Sequence, residues 1–242
     1  MEGLIPVLHL GFLTPEEISK LSHVAALIRI PFETVDDLVY EKNVGDSRGK
    51  RIKRRIKNIE WASKLKFPVR TGLVIDKSGL TKEHKEWLAY VNELQASHGF
   101  IHEVHFESFE KEDRAVLDGV SPPTKKTLLK SVATARSILS DDIELTVSLE
   151  KNPYVEELID IGIRDFGNFS KRPSSLLSGD EFDLDDIAQR VEACGFRFQQ
   201  RFPIRRRYIQ EERYSKKIGQ VFDAYRYKIK KEIQEKIKEA KG

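Results

Sequence analysis

The chain has 242 residues, 39% of them hydrophobic and 33% charged, with a single cysteine, Cys194. Its 42 Lys and Arg against 39 Asp and Glu leave a net charge of only +3. These figures exclude a disordered or fibrous chain. They also exclude an intrachain disulfide framework, a four-thiolate zinc site and a self-contained cysteine-ligated iron–sulfur cluster.

Short apolar runs alternate with longer amphipathic ones. The first run is Leu4 to Leu10, followed by a helix start at Thr14-Pro-Glu-Glu17. There Thr14 caps, Pro15 takes the first turn and Glu17 completes a capping box. Val24 to Ile30 is the next apolar run, and Thr34 to Tyr40 reads as a short helix. Lys50 to Leu65 is predicted helical from the three- and four-residue spacing of Ile52, Ile56, Ile59 and Ala62. Val69 to Ile75 is a strand rich in β-branched residues. Thr81 to Ser97 is a long helix ended by Gly99, where a left-handed cap is wanted. Ile101 to Phe106 is extended, Thr124 to Leu139 helical and Ile143 to Val147 extended. A short helix, Tyr154 to Ile161, precedes a strand at Ile163 to Phe166. Asp183 caps a helix that ends near Cys194, and Phe196 to Phe202 is extended with its aromatics packed inward. The last helix runs from about Glu211 to Ala240 on a stripe of Ile218, Phe222, Tyr225, Ile229, Ile233 and Ile237.

Repeated strand–helix units indicate a parallel sheet, either open or closing into a barrel. Residues 1–210 are expected to form the α/β unit and 211–242 a C-terminal amphipathic helix. In a parallel barrel the working residues sit at the carboxyl ends of strands. Glu33, Asp76, Lys77, Glu107, Ser108, Ser148, Glu150, Asp165 and Asn168 fall at such places. No Gly-x-Gly-x-x-Gly fingerprint or Walker loop is present. His9, His105 and Glu107 are the best metal combination on offer, but nothing in their spacing makes a metal site the expected outcome. Arg48 to Lys57 and Arg201 to Arg213 are basic; each reads first as a solvated surface and second as a phosphate-binding patch. Arg205 to Arg207, with Tyr208, could receive an anionic ligand. No apolar run approaches the roughly 20 residues that span a bilayer. Met1 to Leu10, with Glu2, does not resemble a signal peptide, so a cytoplasmic location is expected.

Several stretches are similar to a known family. They are Gly49-Lys-Arg-Ile-Lys-Arg-Arg55, Phe67-Pro-Val-Arg-Thr-Gly-Leu-Val-Ile75, His98-Gly-Phe-Ile-His-Glu-Val104 and Ile159-Asp-Ile-Gly-Ile-Arg-Asp-Phe-Gly-Asn-Phe-Ser170. Glu192-Ala-Cys-Gly-Phe196 and Arg201-Phe-Pro-Ile204, then Tyr208, follow in order. From about Leu8 to Tyr208 the chain resembles the C-terminal two thirds of 7,8-didemethyl-8-hydroxy-5-deazariboflavin (FO) synthase, a radical S-adenosylmethionine (SAM) enzyme. The resemblance implies an incomplete parallel (β/α) barrel of about six strands with an extra C-terminal helix. It implies a role in deazaflavin synthesis, where family members join a tyrosine-derived fragment to a diaminouracil ring. It places Glu33 and Arg55 on the cofactor side; Asp76 and Glu107, where the family's residues are changed, are the other cofactor-binding candidates. The family's CxxxCxxC loop has no counterpart in this sequence, so a [4Fe-4S] cluster is expected only from a partner. S-adenosylmethionine binding is expected to be weakened, because the family's glycine-rich loop is Asp76-Lys-Ser-Gly-Leu-Thr81 here. The expected partner is a cluster-bearing subunit or a second copy. A small-molecule ligand fits; nucleic acid and membrane are disfavoured. Two readings follow: one piece of a split enzyme that cannot do the radical step alone, or a degenerate binding or regulatory protein that takes RNA or a phosphorylated ligand on its basic patches.

Overall fold

The computed structural model describes residues 4–32, 49–108, 121–149, 152–167 and 183–239. In chain order they give β1 (Val7–His9), α1 (Pro15–Ser22), β2 (Leu27–Phe32), α2 (Gly49–Lys64), β3 (Val69–Ile75), α3 (Lys82–His98) and β4 (Ile101–Ser108). Then follow α4 (Lys125–Ile138), β5 (Glu144–Val147), α5 (Val155–Asp160), α6 (Leu184–Ala193), α7 (Arg206–Gln210) and α8 (Lys216–Glu239). The helix expected at Thr34 to Tyr40 lies outside the described residues.

The five strands pair in chain order, every pair parallel. A sixth position is marked by one parallel bridge, Thr146 to Asp165, where a strand was expected at Ile163 to Phe166. The result is an incomplete parallel barrel. β2 starts three residues later than the apolar run suggested, because Val24 lies in the turn after α1 and is exposed.

Side chains alternate across each strand, and the register sorts them into two faces. Ile28, Ile30 and Phe32, then Leu73 and Ile75, Val104 and Phe106, Leu145 and Val147 form the helix-side face. They are buried with Ile52 and Ile59 of α2, Trp87, Leu88 and Val91 of α3, and Leu128 and Val132 of α4. Phe32 meets Trp87 edge-on, with ring centroids 5.1 Å apart. Each such side chain contributes about 1.5–3 kcal/mol by leaving water. The helix starts are written locally. Thr14 and Glu17 form the expected reciprocal cap, and Thr81 accepts from the His84 amide while His84 answers back. Gly99 ends α3 at φ 73°, a conformation that costs a β-carbon dearly.

A second apolar cluster closes the amino-terminal end of the sheet. Ala26 and Phe100, each just ahead of a strand, pack with Ile204, Tyr208, Ile209, Ile218 and Phe222. The predicted last helix therefore starts at Lys216 rather than about Glu211, and a short helix that was not expected precedes it. α7 ends at Gln210, the chain turns through Glu212 at φ 52°, and α8 begins at Lys216. The turn lets the Arg213 guanidinium donate to the Gly99 carbonyl (2.5 Å) and Ser215 to that of His23 (2.8 Å). Ile218 and Phe222 of the predicted stripe are buried in this seal. The segment at Phe196 to Phe202 forms no strand, and Phe196 is exposed with the Arg164 guanidinium over its ring (4.3 Å).

Candidate functional site

The inner face of the sheet is polar. Register aligns His9, Arg29, Arg70, Glu103 and Glu144 in one row across β1 to β5. The next row toward the carboxyl ends is Pro31, Gly72, His105, Thr146 and Asp165. An irregularity where β3 meets β4 leaves His102 without a partner on β3, which separates it from this face.

Glu103 is the hub. Its carboxylate lies 2.7 Å from Arg70 Nε and 3.1 Å from Arg201, and accepts from the Thr146 hydroxyl at 2.6 Å. Thr146 Oγ1 is in turn 2.8 Å from His105 Nδ1. Arg201 bridges Glu103 and Asp165, and Arg205 reaches Glu144 at 2.8 Å. A buried carboxylate is tolerable only with such partners. The surroundings shift the neighbours. Desolvation, only partly offset by Arg205, raises the Glu144 carboxyl. Burial, helped by Arg201, Arg205 and Arg70, holds the His102 ring well below the usual imidazole value. Neutral His102 accepts the Arg205 backbone N–H on Nε2 (2.5 Å). Burial works to lower the Arg201 guanidinium, yet Asp165 and Glu103 raise it overall.

Three of the four predicted site residues are described, and they sit apart from this hub. Arg55 on α2 donates to the Pro31 carbonyl at the carboxyl end of β2 (2.5 Å). Glu107 faces Arg29 at 3.7 Å, two positions above the hub on β4. Asp76 holds its own turn, its carboxylate accepting from the Ser78 amide at 2.7 Å. Glu33 lies outside the described residues. Arg55 and Glu107 thus both attach to β2, whereas Asp76 faces its local loop. Ser108 donates to Asn152 (2.6 Å), which ties the end of β4 to the loop after β5.

Of the predicted anion-receiving arginines, Arg205 and Arg207 already face carboxylates, whereas Arg206 is exposed. Arg201, Arg205, Arg207 and Arg213 pair with Glu103 and Asp165, Glu144, Asp142 and Glu211 respectively. Tyr208 is fully buried. Sequence reasoning singled out none of Arg70, Glu103 and Glu144, and read Arg201 only as part of a basic patch. The signal was present: a charge inside an otherwise apolar parallel strand has to be matched by another. What was missing was the partner, since Arg201 lies 98 residues from Glu103.

A cavity of about 580 Å³ opens beside the hub, between Ile163–Gly167, α6 and residues 196–203. Arg164, Asp165, Gln199 and Arg201 supply its polar lining. Among the described residues no three His, Cys, Asp or Glu side chains are grouped to hold a metal ion. Cys194 is half-buried at the end of α6. No described helix is long and apolar enough to cross a membrane.

No family model matches the chain. It is 28% identical over 219 residues to the 7,8-didemethyl-8-hydroxy-5-deazariboflavin synthase of Methanococcus aeolicus, covering 89% of this chain and 61% of that protein. The synthase of the same name from Methanothermobacter thermautotrophicus is 26% identical over 214 residues, covering 87% and 65%. The chain thus spans about three fifths to two thirds of the length of these curated relatives, and resembles them over most of its own. Among solved structures, the FeFe-hydrogenase maturase HydG from Carboxydothermus hydrogenoformans superposes with a TM-score of 0.63 at 15% identity. That match covers 78% of this chain and 47% of the other, and it agrees with the incomplete barrel.

Proposed function

We propose that this chain is the barrel portion of an FO synthase-like system and that the thiolates for the radical step are supplied from outside these 242 residues. The observation that carries this reading is similarity to FO synthases along nearly nine tenths of the chain, laid on an open parallel barrel. The residues present do not fit a [4Fe-4S] cluster. Such a cluster needs several thiolates, and the one cysteine, Cys194, sits at a helix end on the helix side of the sheet. The turn after β3 does not match the family's glycine-rich loop either, because the Asp76 carboxylate is engaged by its own turn.

What the chain contributes in this reading is a fixed wall. Glu103, Arg70, Thr146 and Arg201 lock the inner face, and Arg29, Arg55 and Glu107 stand at the rim where a polar substrate enters. Anaerobic reconstitution with iron and sulfide is expected to leave the purified chain without a stoichiometric cluster and without S-adenosylmethionine cleavage. Cleavage by this chain alone would overturn the reading. Co-expression with cysteine-rich chains from neighbouring genes is expected to restore deazaflavin formation. A second reading, a binding protein without chemistry, is favoured by the hub itself, which fills the lower part of the barrel with the protein's own charges. It prevails if no added chain restores product. Binding of RNA is checked by a salt titration: micromolar binding that falls steeply with salt supports the second reading, and no binding at low salt removes RNA as the ligand.

A further inference from the structure

Residues 196–202 form no strand and stand off from the sixth strand position, and the space between them and α6 is the cavity of about 580 Å³. Two arginines hold it open. Arg164 donates through Nη1 to the carbonyls of Ile159 (2.7 Å) and Ile163 (2.8 Å), while its guanidinium lies 4.3 Å from the centre of the Phe196 ring. It thus braces Phe196 against the end of α5 and the sixth strand position. At the other end Arg201 pairs with Asp165 and Glu103 and donates to the Phe202 carbonyl at 2.9 Å. Residues 197–200 span the interval between these anchors. A segment fastened at both ends is kept from collapsing onto the sheet edge, so a gap persists where side chains would ordinarily pack. We propose that this cavity is a binding site for a small organic anion with a flat apolar body, in chemical class an aromatic carboxylate. The site stands or falls independently of the radical chemistry above.

The volume falls within the roughly 300–1,000 Å³ usual for small-molecule sites, which are mostly apolar with a few polar groups that fix orientation. Ile163, Leu184 and Val191 make an aliphatic wall. Phe196 and Phe198 add aromatic rings, and Phe196 is 40% exposed, a ring that the fold itself does not bury. A flat ring system suits such a wall, because aromatic faces stack or meet edge-on with a gain beyond their buried area. Charge selects the other end of the ligand. Arg164, Arg197 and Arg201 line the cavity, and Asp165 is the one acid among the described lining residues. Arg201 is already matched by Glu103 and Asp165, so the surplus rests on Arg164 and Arg197, both exposed. Among the described residues Arg164 makes its hydrogen bonds through Nη1 alone, which leaves Nε and Nη2 for the paired oxygens of a carboxylate. A cation would be repelled by the same two side chains. Gln199 adds an amide that can donate or accept beside them.

The test is equilibrium dialysis of the full chain against 2-naphthoate, and against 2-naphthamide, which has nearly the same shape and no charge. Naphthoate is expected to bind with a dissociation constant of about 10–100 µM, ordinary for a ligand of this size, and the amide about tenfold more weakly. Leu184→Trp, at the half-buried start of α6, puts an indole into the cavity and should weaken naphthoate by about tenfold or more while the variant melts at the parent temperature. Arg197→Glu reverses a charge on an exposed side chain; it should weaken naphthoate by about tenfold and leave the amide unchanged. Because Arg197 is exposed, this second variant reads the site even where the first fails to fold. No bound naphthoate at millimolar concentration, equal affinity for the two compounds, or naphthoate binding undiminished by Arg197→Glu overturns the proposal.

Discussion

Glu103 is fully buried, and three side chains depend on its charge. Glu103→Ala strands the buried Arg70 guanidinium, a change that costs about 3–5 kcal/mol when a buried pair is broken. For a chain of this length that is a fall in Tm of about 10 °C, read by thermal unfolding. Replacing both ends, Arg70→Met with Glu103→Leu, is expected to recover most of it, because neither charge is then left alone. His102 gives the fold a pH dependence of known sign. Folded, its ring stays neutral; unfolded, it takes a proton near pH 6.5. The unfolded chain therefore binds more protons below that pH, and stability falls on acidification by up to about 1.4 kcal/mol per pH unit. Glu144, raised in the fold, opposes this at lower pH, between its raised value and the ordinary 4.5. Urea unfolding from pH 7.5 to 5.5 should show the loss, and His102→Gln should flatten it. Both residues stand in plain view in Ile101-His-Glu103, but their depth does not. The irregularity that buries His102 behind Tyr208 arises from pairing with β3, which no local pattern encodes.

Among the elements, α3 and β3 were legible nearly to the residue, because a cap at Thr81, a stop at Gly99 and a β-branched run are local facts. Thr14→Ala removes the hydroxyl that accepts from the Glu17 amide in the α1 cap and is expected to lower stability by about 1 kcal/mol. Gly72 looks like an ordinary strand glycine in sequence. In the fold a β-carbon there would lie 2.2 Å from the His105 carbonyl oxygen, which belongs to the neighbouring strand and cannot swing away. Gly72→Ala is accordingly expected to force β3 from β4 and to yield insoluble protein, whereas Gly11→Ala, with nothing nearby, should stay soluble. The short helix α7 and the late start of α8 were not legible, because the turn between them is held by contacts with His23 and Gly99 far back in the chain.

On the scale of the molecule, the sequence carried the parallel barrel through its alternation of strands and helices, and it carried the likeness to FO synthase through ordered motifs. It did not carry the internal neutralisation of the arginines, since charge pairing between distant segments leaves no spacing to read. Truncation at Glu211 deletes Ile218 and Phe222 from the seal under the strands. The shortened chain should bind a hydrophobic dye and scatter light as aggregates at micromolar concentration, where the full chain does not. The same seal sets the order in which the protein can mature on the ribosome. Phe100 emerges 122 residues before Phe222, the side chain that covers the cluster it belongs to. At the usual rate of synthesis that interval is about 6–24 seconds. Throughout it the nascent barrel has strands and outer helices but an uncovered floor, so the growing chain exposes apolar surface of the kind chaperones bind until the second turn of α8 has been made.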